Sequence, residues 1–487
     1  MIRYPASLPV TEQLTIMIAR KRIGILLVLV LFAGIGGASA QIYDCDITWL
    51  QPLQLSSDSV PSNAPQVISS GSIIHAAWFG LDTLGTVAND GIQYARSLDG
   101  GATFTPQVKI VSADTALDAG VMAVSGDYIY IAFFAITDTF YGTTLIRSTD
   151  GGMTWESPDF LLGNTIPRVI AAQDSIVYIH YYNQLTNRYG LLRSGDNGTT
   201  WATRNTNMPS FFSIVPYHNL LYAVNETDIS VRKEVGFFLS PNSGTIWYGP
   251  EILSSEDVTS STLPALAVNE EGDIFVTWND TGSIVMRRSY FDEEEGMLWY
   301  PQIVLSQNGG SVFSDVSAKG NFAGVVWDNQ PGSENGIRLR TSNDRAISFC
   351  PETLPALSPA ASAPSIAISG DNIYLLWSDK VGTNSEILFQ AGKLIEKYIP
   401  QSFSLYQNYP NPFNSGTTIQ YDISEGTNVT LTVYNILGQK VATLVNEYQS
   451  KQQYSIPFYT DNLATGVYFY RLRTNTYSET KKMVIVR

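Results

Sequence analysis

A nine-residue motif recurs along the chain and constrains the fold more than any other feature. It combines a serine, an aspartate, one or two glycines, a threonine and an aromatic residue. The clearest copies are RSLDGGATF at 96–104, RSTDGGMTW at 147–155 and RSGDNGTTW at 193–201. Weaker copies are LSPNSGTIW at 239–247, RSYFDEEEGMLW at 288–299 and RTSNDRAISF at 340–349. A recurrence of about 50 residues indicates an array of similar structural units.

Each motif copy lies at the same place in a larger repeat unit. Upstream of it, two alternating apolar stretches are separated by a short polar turn, as in APQVISSGSIIHAAW at 64–78. Alternation of this kind is typical of half-buried β-strands. Seven such stretches occur, and the first six are followed by a third strand, the motif and a fourth strand. The pattern predicts an all-β fold, a seven-bladed β-propeller built from four-stranded antiparallel blades.

The seventh repeat unit is incomplete and stops at EILFQAGKL, residues 386–394. A strand-like segment, ITWLQPLQLSS at 47–57, precedes the first unit and is similar to the segments that follow the motifs. We therefore expect a propeller over residues 41–394 in which blade seven is closed by the N-terminal strand. An open array would leave unpaired edge strands.

We expect a structural role for the motif. Serine and aspartate oxygens can accept hydrogen bonds from turn amides, glycine supplies a positive φ, and the aromatic residue packs between sheets. Catalysis would not require six copies. The structural set comprises Ser97, Asp99, Ser148, Asp150, Ser194, Asp196, Ser240, Asn242, Ser342 and Asp344.

The motif resembles the Asp-box, or bacterial neuraminidase repeat, and residues 47–394 are similar to the sialidase-like superfamily of propellers. The resemblance implies that the motif turns lie opposite the active face. It also suggests an exo-sialidase, in which an arginine triad binds the substrate carboxylate, a Tyr–Glu pair is the nucleophile and an aspartate is the acid/base. The family's Arg-Ile-Pro motif is missing, however; the nearest string is IPR at 166–168. Known sialidases of the family also have six blades.

We therefore favour a non-catalytic protein that binds carbohydrate or another extracellular ligand. The alternatives are an exo-sialidase-like glycoside hydrolase and a polysaccharide lyase that act on extracellular glycans. No catalytic residue can be assigned. No cofactor and no metal site are predicted, because the three histidines and two cysteines show no zinc spacing and no phosphate-binding or hydrolase motif occurs.

A ligand site is expected on the loops between second and third strands, at the end opposite the motifs. Repeat units three and four depart most from the pattern there. The candidate ligand-binding residues are Arg168, Arg188, Tyr189, Arg232 and Glu234. Acidic side chains near the same rim are further candidates for sugar hydroxyls: Asp82, Asp138, Asp280, Asp328 and Asp379. Aromatic residues that recur just before the loops are expected to pack between blades: Trp78, Phe133, Tyr181, Trp278, Trp327 and Trp377.

The N-terminus predicts export. A basic stretch, ARKR at 19–22, precedes an apolar run and the small residues ASA at 38–40, which indicates a signal peptide over residues 1–40 cleaved near Ala40. A membrane anchor is the alternative, and translation could start at Met1 or Met17. No other stretch is long enough to span a bilayer. Cys45 and Cys350 could form one disulfide or remain two thiols in an exported protein. A net charge of −15 argues against nucleic acid as a partner.

The pattern changes after a linker at 395–401. Closely spaced alternating strands over residues 402–487 predict a small Ig-like β-sandwich. NYPNPFN at 408–414, VYNILGQKVATL at 433–444, GVYFYRL at 466–472 and KKMVIVR at 481–487 resemble the type A sorting domain of the type IX secretion system. The resemblance implies the type IX secretion machinery as partner and delivery to the cell surface or medium; an adhesion module is the alternative. Ser415 stands where members of that family often have proline.

Overall fold

The structure, a computed structural model, describes residues 47–486 except 57–60, 81–90, 113–119, 230–231, 255–258, 293–295, 307–309, 330–335, 357, 359, 383, 395–401, 450–451 and 461–462. The described residues form two compact units, one before residue 396 and one from there on. Both are built from antiparallel sheets, so the predicted all-β class is confirmed. The predicted signal peptide, the linker, Cys45 and Asp82 lie outside the described residues.

The N-terminal unit begins with β1 (Ile47–Trp49) and β2 (Leu53–Gln54). Sheet 1 contains β3 (Ser62–Ser70), β4 (Ile73–Gly80), β5 (Gly91–Ser97) and β6 (Val108–Ser112). Sheet 2 contains β7 (Val121–Ser125), β8 (Tyr128–Ile136), β9 (Tyr141–Ser148) and β10 (Asp159–Gly163). Sheet 3 contains β11 (Thr165–Gln173), β12 (Ile176–Asn183), β13 (Arg188–Ser194) and β14 (Ala202–Met208). Sheet 4 contains β15 (Phe211–Tyr217), β16 (Leu220–Ile229), β17 (Arg232–Ser240) and β18 (Tyr248–Ile252).

Three more sheets complete this unit among the described residues. Sheet 5 contains β19 (Ser261–Val268), β20 (Ile274–Asp280), β21 (Ser283–Asp292), β22 (Gly296–Trp299) and β23 (Ile303–Val304). Sheet 6 contains β24 (Ser311–Lys319), β25 (Phe322–Asn329), β26 (Gly336–Ser342) and β27 (Thr353–Ala356). Sheet 7 contains β28 (Ser362–Ser369), β29 (Asn372–Val381) and β30 (Asn384–Leu394) together with β1 and β2.

Sheet 7 takes its outer strands from the beginning of the described chain. β1 and β2 both pair antiparallel with β30, and Ile47 lies opposite Leu394 while Leu53 lies opposite Phe389. β1 and β2 therefore take the place of the fourth strand that the seventh repeat unit lacks.

A serine that follows the outer strand shows the same equivalence. In sheet 7 the Ser56 hydroxyl donates to the Glu386 carboxylate and accepts a hydrogen bond from Ile387 N at 2.8 Å. In sheet 4 the Ser254 hydroxyl donates to the Glu234 carboxylate at 2.5 Å and accepts a hydrogen bond from Val235 N at 2.9 Å. Ser56 thus occupies in sheet 7 the position that Ser254 occupies in sheet 4.

The first strands of the seven sheets contact one another in a cycle. β3, β7, β11, β15, β19, β24 and β28 contact in that order, and β28 contacts β3. Buried apolar clusters lie between successive sheets, including sheets 7 and 1. The recurrent aromatics are buried there, as expected: Trp78, Phe133, Tyr181, Trp278, Trp327 and Trp377. The core is therefore distributed over seven similar interfaces.

Cys350 is buried and disulfide-bonded, so of the two alternatives left open by the sequence the bridged one holds. No helix among the described residues is long and apolar enough to cross a membrane.

The C-terminal unit contains two sheets around one apolar core. One sheet has β31 (Ser404–Leu405), β32 (Gly416–Ile423) and β35 (Gln452–Tyr459). The other has β33 (Thr427–Asn435), β34 (Lys440–Gln449), β36 (Gly466–Arg473) and β37 (Ser478–Ile485). The Tyr470 hydroxyl fixes the NYPNPFN segment to this core, because it accepts from Asn408 N at 2.8 Å and donates to Tyr406 O at 2.7 Å.

Candidate functional site

Five motif copies form turns between the third and fourth strands and share one hydrogen-bond pattern, in which the serine hydroxyl accepts from the amide four residues later. The predicted copy at 288–299 differs, because β21 pairs with β22 there and the Ser289 hydroxyl accepts from Ile274 N at 3.0 Å. In the second copy, the Ser148 hydroxyl donates to Asp150 Oδ1 at 2.8 Å and accepts from Gly152 N at 2.9 Å. The Asp150 carboxylate accepts from Thr154 N at 2.9 Å and from Thr154 Oγ1 at 2.6 Å. The serine and aspartate oxygens therefore bind groups of their own turn.

The threonine hydroxyl is the main reason why the motif carboxylates are acidic. Together with backbone amides it lowers the pKa to about 2 for Asp99, Asp150 and Asp196. The fourth copy has Asn242 and Ile246 at the aspartate and threonine positions. Asn242 Oδ1 still accepts from Ser240 Oγ at 3.1 Å and from Ile246 N at 2.8 Å, and only the bond from a threonine hydroxyl is lost. This copy forms the turn without a charge.

In the first four copies, the glycine four residues after the motif serine meets a side chain of the preceding sheet. Gly152 has a φ of +80°, and a Cβ there would lie 2.1 Å from the hydroxyl of Tyr94 in sheet 1. A Cβ on Gly101 would lie 2.8 Å from the ring of Phe389 in sheet 7. These positions need glycine both for the backbone conformation and for the close approach of the sheets.

Arginines just before the motif serine bind the turn of the following sheet. Arg96 Nη1 donates to Gly151 O at 2.5 Å, and Arg147 Nη1 donates to Asn197 O at 2.9 Å. Arg288 Nη1 donates to Arg345 O at 2.6 Å. The motif end of the sheets is thus held together by contacts from one sheet to the next.

A cavity of about 460 Å³ lies at this end between sheets 5 and 6. Three of its charged side chains already have partners. Arg345 forms an ion pair with Asp273 at 2.5 Å, and the Arg288 guanidinium lies 4.3 Å from the Tyr300 ring centroid. The cavity therefore presents few free charges to a ligand.

The opposite end differs from sheet to sheet, and the hairpin of sheet 3, residues 182–189, is the most distinctive. Asn183 Oδ1 accepts from the amides of Leu185 and Thr186, both at 3.0 Å. The Tyr182 hydroxyl donates to Asn187 Oδ1 at 2.5 Å. These bonds hold the sheet 3 hairpin in one shape.

The two adjacent candidates on this hairpin point to opposite sides of sheet 3, as strand alternation requires. Tyr189 packs with the apolar cluster between sheets 3 and 4. Its ring is nearly parallel to the His180 ring, with centroids 5.4 Å apart, and lies 5.1 Å from the Tyr182 ring. Arg188 shares its side with Leu192, which packs against sheet 2.

Arg232 and Glu234 lie on the side of sheet 4 that faces sheet 3, the side that also carries Phe238. Glu234 is fully buried. One carboxylate oxygen lies 2.8 Å from Arg232 Nε, and the other accepts the Ser254 hydrogen bond. Glu234 is therefore held within its own sheet, while the Arg232 side chain keeps a quarter of its surface exposed.

The structure thus brings three of the five candidates, Tyr189, Arg232 and Glu234, to facing sides of sheets 3 and 4. Arg188 faces sheet 2 instead. Arg168 is exposed at a bulge of the innermost strand β11, where the register shifts between Pro167 and Val169. Neither Arg168 nor Arg188 has a hydrogen-bond or ion-pair partner among the described residues.

His180, on β12, lies beside Tyr189. Burial lowers its pKa to about 4, so the ring is neutral at pH 7. Its Nε2 lies 3.1 Å from Pro209 O and, as the N–H tautomer, donates to it, while Nδ1 has no hydrogen-bond partner among the described residues. His180 supports the Tyr189 ring from below.

Two acidic rim residues have internal partners and do not fit the expected role in binding sugar hydroxyls. Asp328 is buried and accepts from Phe313 N at 2.9 Å, and burial raises its pKa. Asp379 is also buried and accepts from Ser358 Oγ at 2.6 Å. Such contacts join residues distant in sequence, so the sequence pattern could not reveal them.

Sequence reasoning did not single out Ile136 and Tyr141 on the neighbouring hairpin of sheet 2. They are 38% and 40% exposed. Both lie on the same side of sheet 2 as Leu145, which packs against sheet 3. The available signal was an aromatic residue within a loop, ITDTFYGT at 136–143, whose other members are mostly small or polar.

Comparison with known proteins gives one family match. Residues 407–486 match the family described as "Secretion system C-terminal sorting domain". No curated protein matches the chain.

Three solved structures illustrate the weak similarity to known folds. A protein of unknown function from Dyadobacter fermentans is 12% identical over 72% of this chain and 99% of its own, with a TM-score of 0.46. PorZ, a surface component of the type IX secretion system of Porphyromonas gingivalis, is 14% identical over 87% of this chain and 59% of its own, with a TM-score of 0.42. Trypanosoma rangeli sialidase is 12% identical over 90% of this chain and 89% of its own, with a TM-score of 0.40. These TM-scores all lie below 0.5, so neither fold nor function follows from them.

The family match covers the C-terminal unit alone. The protein therefore carries a secretion system C-terminal sorting domain at residues 407–486, which implies export through the type IX system to the cell surface or extracellular space.

Proposed function

We propose that residues 41–394 form a seven-bladed β-propeller closed by the N-terminal strand, preceded by a signal peptide at 1–40. A linker at 395–401 leads to an Ig-like sandwich at 402–487. Support comes from the cyclic contacts of the seven first strands and from the pairing of β1 and β2 with β30. The motif turns then form one face of the propeller and the hairpins the other.

We further propose that the exported propeller binds carbohydrate without catalysis, at the facing sides of sheets 3 and 4. The observation that carries this proposal is the cluster of aromatic rings formed by Tyr182, Tyr189 and His180 on the side of sheet 3 that faces the Arg232–Glu234 pair. Tyrosines offer a flat apolar face with a polar tip, and arginine offers several fixed donors, which together match the apolar faces and hydroxyls of sugars.

Binding fits this site better than hydrolysis does. A glycosidase needs a carboxyl group that exchanges a proton with the substrate and a second one placed opposite it. Glu234 is fully buried and already engaged by Arg232 and Ser254. It is therefore suited to orient Arg232 rather than to react.

A glycan array and a panel of fluorogenic glycosides test the proposal together. We expect the mature chain to bind glycans and to release no fluorophore. Tyr189→Leu keeps an apolar side chain against His180 and should weaken binding about tenfold. Tyr300→Leu is the control, because Tyr300 is a partly exposed tyrosine (39%) at the motif end of the sheets. Turnover, or glycan binding that Tyr189→Leu leaves unchanged, would contradict the proposal.

Export has its own test. A reporter with a signal peptide at its N-terminus and residues 402–487 at its C-terminus should reach the surface or medium of a host with a type IX system. The same reporter without residues 402–487 should stay in the periplasm. Periplasmic retention of both forms would count against a self-sufficient sorting domain.

A further inference from the structure

The hairpins of sheets 2 and 3 form a second surface, on the side of sheet 3 away from Tyr189. Tyr141 and Ile136 contribute from sheet 2, and Arg188 contributes from sheet 3. Each lies on the side that faces the other sheet. We name these three residues the sheet 2–3 surface.

The tyrosine of this surface is held in place by its neighbours. Its ring meets the Phe134 ring edge-on, with centroids 4.8 Å apart. The preceding loop is closed by a hydrogen bond of 2.8 Å from Thr137 N to Phe140 O. An exposed aromatic ring in a fixed orientation loses little freedom when a ligand stacks on it.

The spacing between the two hairpins is fixed by Asn164, in the connection from β10 to β11. Its amide donates to Tyr141 O at 2.7 Å, and its carbonyl accepts from Gln184 N at 2.9 Å. Below it, the buried Thr165 and Thr143 hydroxyls are hydrogen-bonded at 2.7 Å. The Tyr141 and Arg188 hairpins are therefore joined before any ligand arrives.

Charge indicates what this surface can bind. The chain has 44 acidic and 29 basic residues, so a free arginine side chain stands out against an acidic background. Arg188 is exposed and has no partner among the described residues. A free guanidinium on the side of sheet 3 that faces the exposed tyrosine of sheet 2 suits a sugar ring that carries a carboxylate or sulfate, because the guanidinium binds such groups in a bidentate manner.

We propose that the sheet 2–3 surface binds an acidic sugar unit, with its ring on Tyr141 and its carboxylate or sulfate on Arg188. The same glycan continues over the sheet 3 hairpin to the Tyr189 side. This inference rests on the proposed carbohydrate binding. The space between sheets 2 and 3 and the space between sheets 3 and 4 are about 10 Å apart, because sheet 3 lies between them. One sugar unit therefore cannot contact both Tyr141 and Tyr189. The ligand is therefore an acidic polysaccharide chain rather than a single terminal sugar.

The test uses the full mature chain and an array of uronate and sulfated oligosaccharides of increasing length, with neutral oligosaccharides of the same lengths. We expect binding to the acidic oligomers that grows with length and weakens with salt. Tyr141→Ala and Arg188→Gln should each lower affinity for the longer acidic oligomers about tenfold. Arg188→Gln should also reduce the salt dependence. Comparison of the uronate and sulfated oligosaccharides shows whether the chain binds a carboxylate or a sulfate group more tightly.

Two exposed residues supply matched controls. Phe160→Ala removes an aromatic ring that is 48% exposed on the other side of sheet 2, and Arg204→Gln removes an exposed arginine on β14. Both should bind within about twofold of the unmodified chain, and all variants should keep its melting temperature.

Three results would overturn the inference: equal binding of neutral and acidic oligomers, equal binding of single sugars and chains, or unchanged affinity in Tyr141→Ala and Arg188→Gln. In each case carbohydrate binding itself would stand. A chain that binds no glycan would instead overturn the proposed function and, with it, this inference.

Discussion

The two ends of the seven sheets are built differently. At the motif end the same hydrogen bonds recur in one sheet after another, as the matching contacts around Ser97, Ser148 and Ser194 show. At the hairpin end each sheet has its own residues: an exposed tyrosine in sheet 2, an unpaired arginine in sheet 3 and, in sheet 4, a partly exposed arginine paired with a buried glutamate.

This difference separates stability from recognition. Residues that recur from sheet to sheet serve a role that all the sheets share, which is packing against the neighbouring sheets. Residues that occur in one sheet alone do not serve this shared role. The motif end should therefore control the free energy of unfolding, and the hairpin end should control ligand affinity.

The largest expected effect concerns the closure of sheet 7. Deletion of residues 47–56 removes β1 and β2 and leaves the buried Glu386 without its serine donor, which alone costs about 1–3 kcal/mol. The exposed edge of β30 adds to this loss. We expect a melting temperature at least 10 °C lower, or no folded protein. The Ser56→Ala variant should show how much of this loss of stability comes from the missing serine hydrogen bond alone. A deletion variant that melts like the intact chain would disprove closure by these strands.

The motif glycines give the next largest effect. Gly152→Ala places a methyl group 2.1 Å from the Tyr94 hydroxyl in a left-handed conformation, whereas Gly126→Ala has a φ of +60° but open space around it. The strained backbone costs about 1–2 kcal/mol in both variants, and the clash adds about 1–3 kcal/mol in Gly152→Ala. Urea unfolding measures both. Equal losses would show that the glycine serves the backbone conformation only.

A smaller effect is expected for the pH dependence of stability. The pKa of Asp150 is lowered from 3.8 to about 2, so its carboxylate contributes stability that is complete above pH 4 and is lost as the pH falls towards 2. Asp150→Asn, which copies the natural Asn242, should flatten the decline of stability in that window. Unfolding measured at closely spaced pH values checks this. An unchanged decline would mean that the carboxylate is not held in this way.

The smallest expected effect is on binding when the motif end is altered. Asp150→Ala should lower the melting temperature by about 2 °C because the turn loses its acceptor. The folded protein should bind glycans with unchanged affinity. Lost binding with an unchanged melting temperature would reverse the roles assigned to the two ends.

Much of the fold was predictable because it depends on local patterns that repeat. Strand alternation and the period of the motif predicted all-β structure, and the segment at 47–57 revealed itself by its likeness to other outer strands. The candidate site was less predictable. Arg188 and Tyr189 are adjacent in sequence but face different sheets, and the buried carboxylate of Glu234 accepts a hydrogen bond from Ser254, which lies 20 residues later and follows the outer strand of the sheet. Tyr141 was overlooked because its exposure depends on how sheets 2 and 3 meet.

Hydrogen exchange of the full chain with and without a bound glycan tests the division between the two ends most directly. The amides of residues 137–141 and 184–189 should exchange more slowly when a glycan from the array is bound. The amides of the motif turns, such as residues 150–154, should exchange at the same rate in both states. Protection of the motif turns with unchanged exchange at the hairpins would contradict the assignment of recognition to the hairpin end.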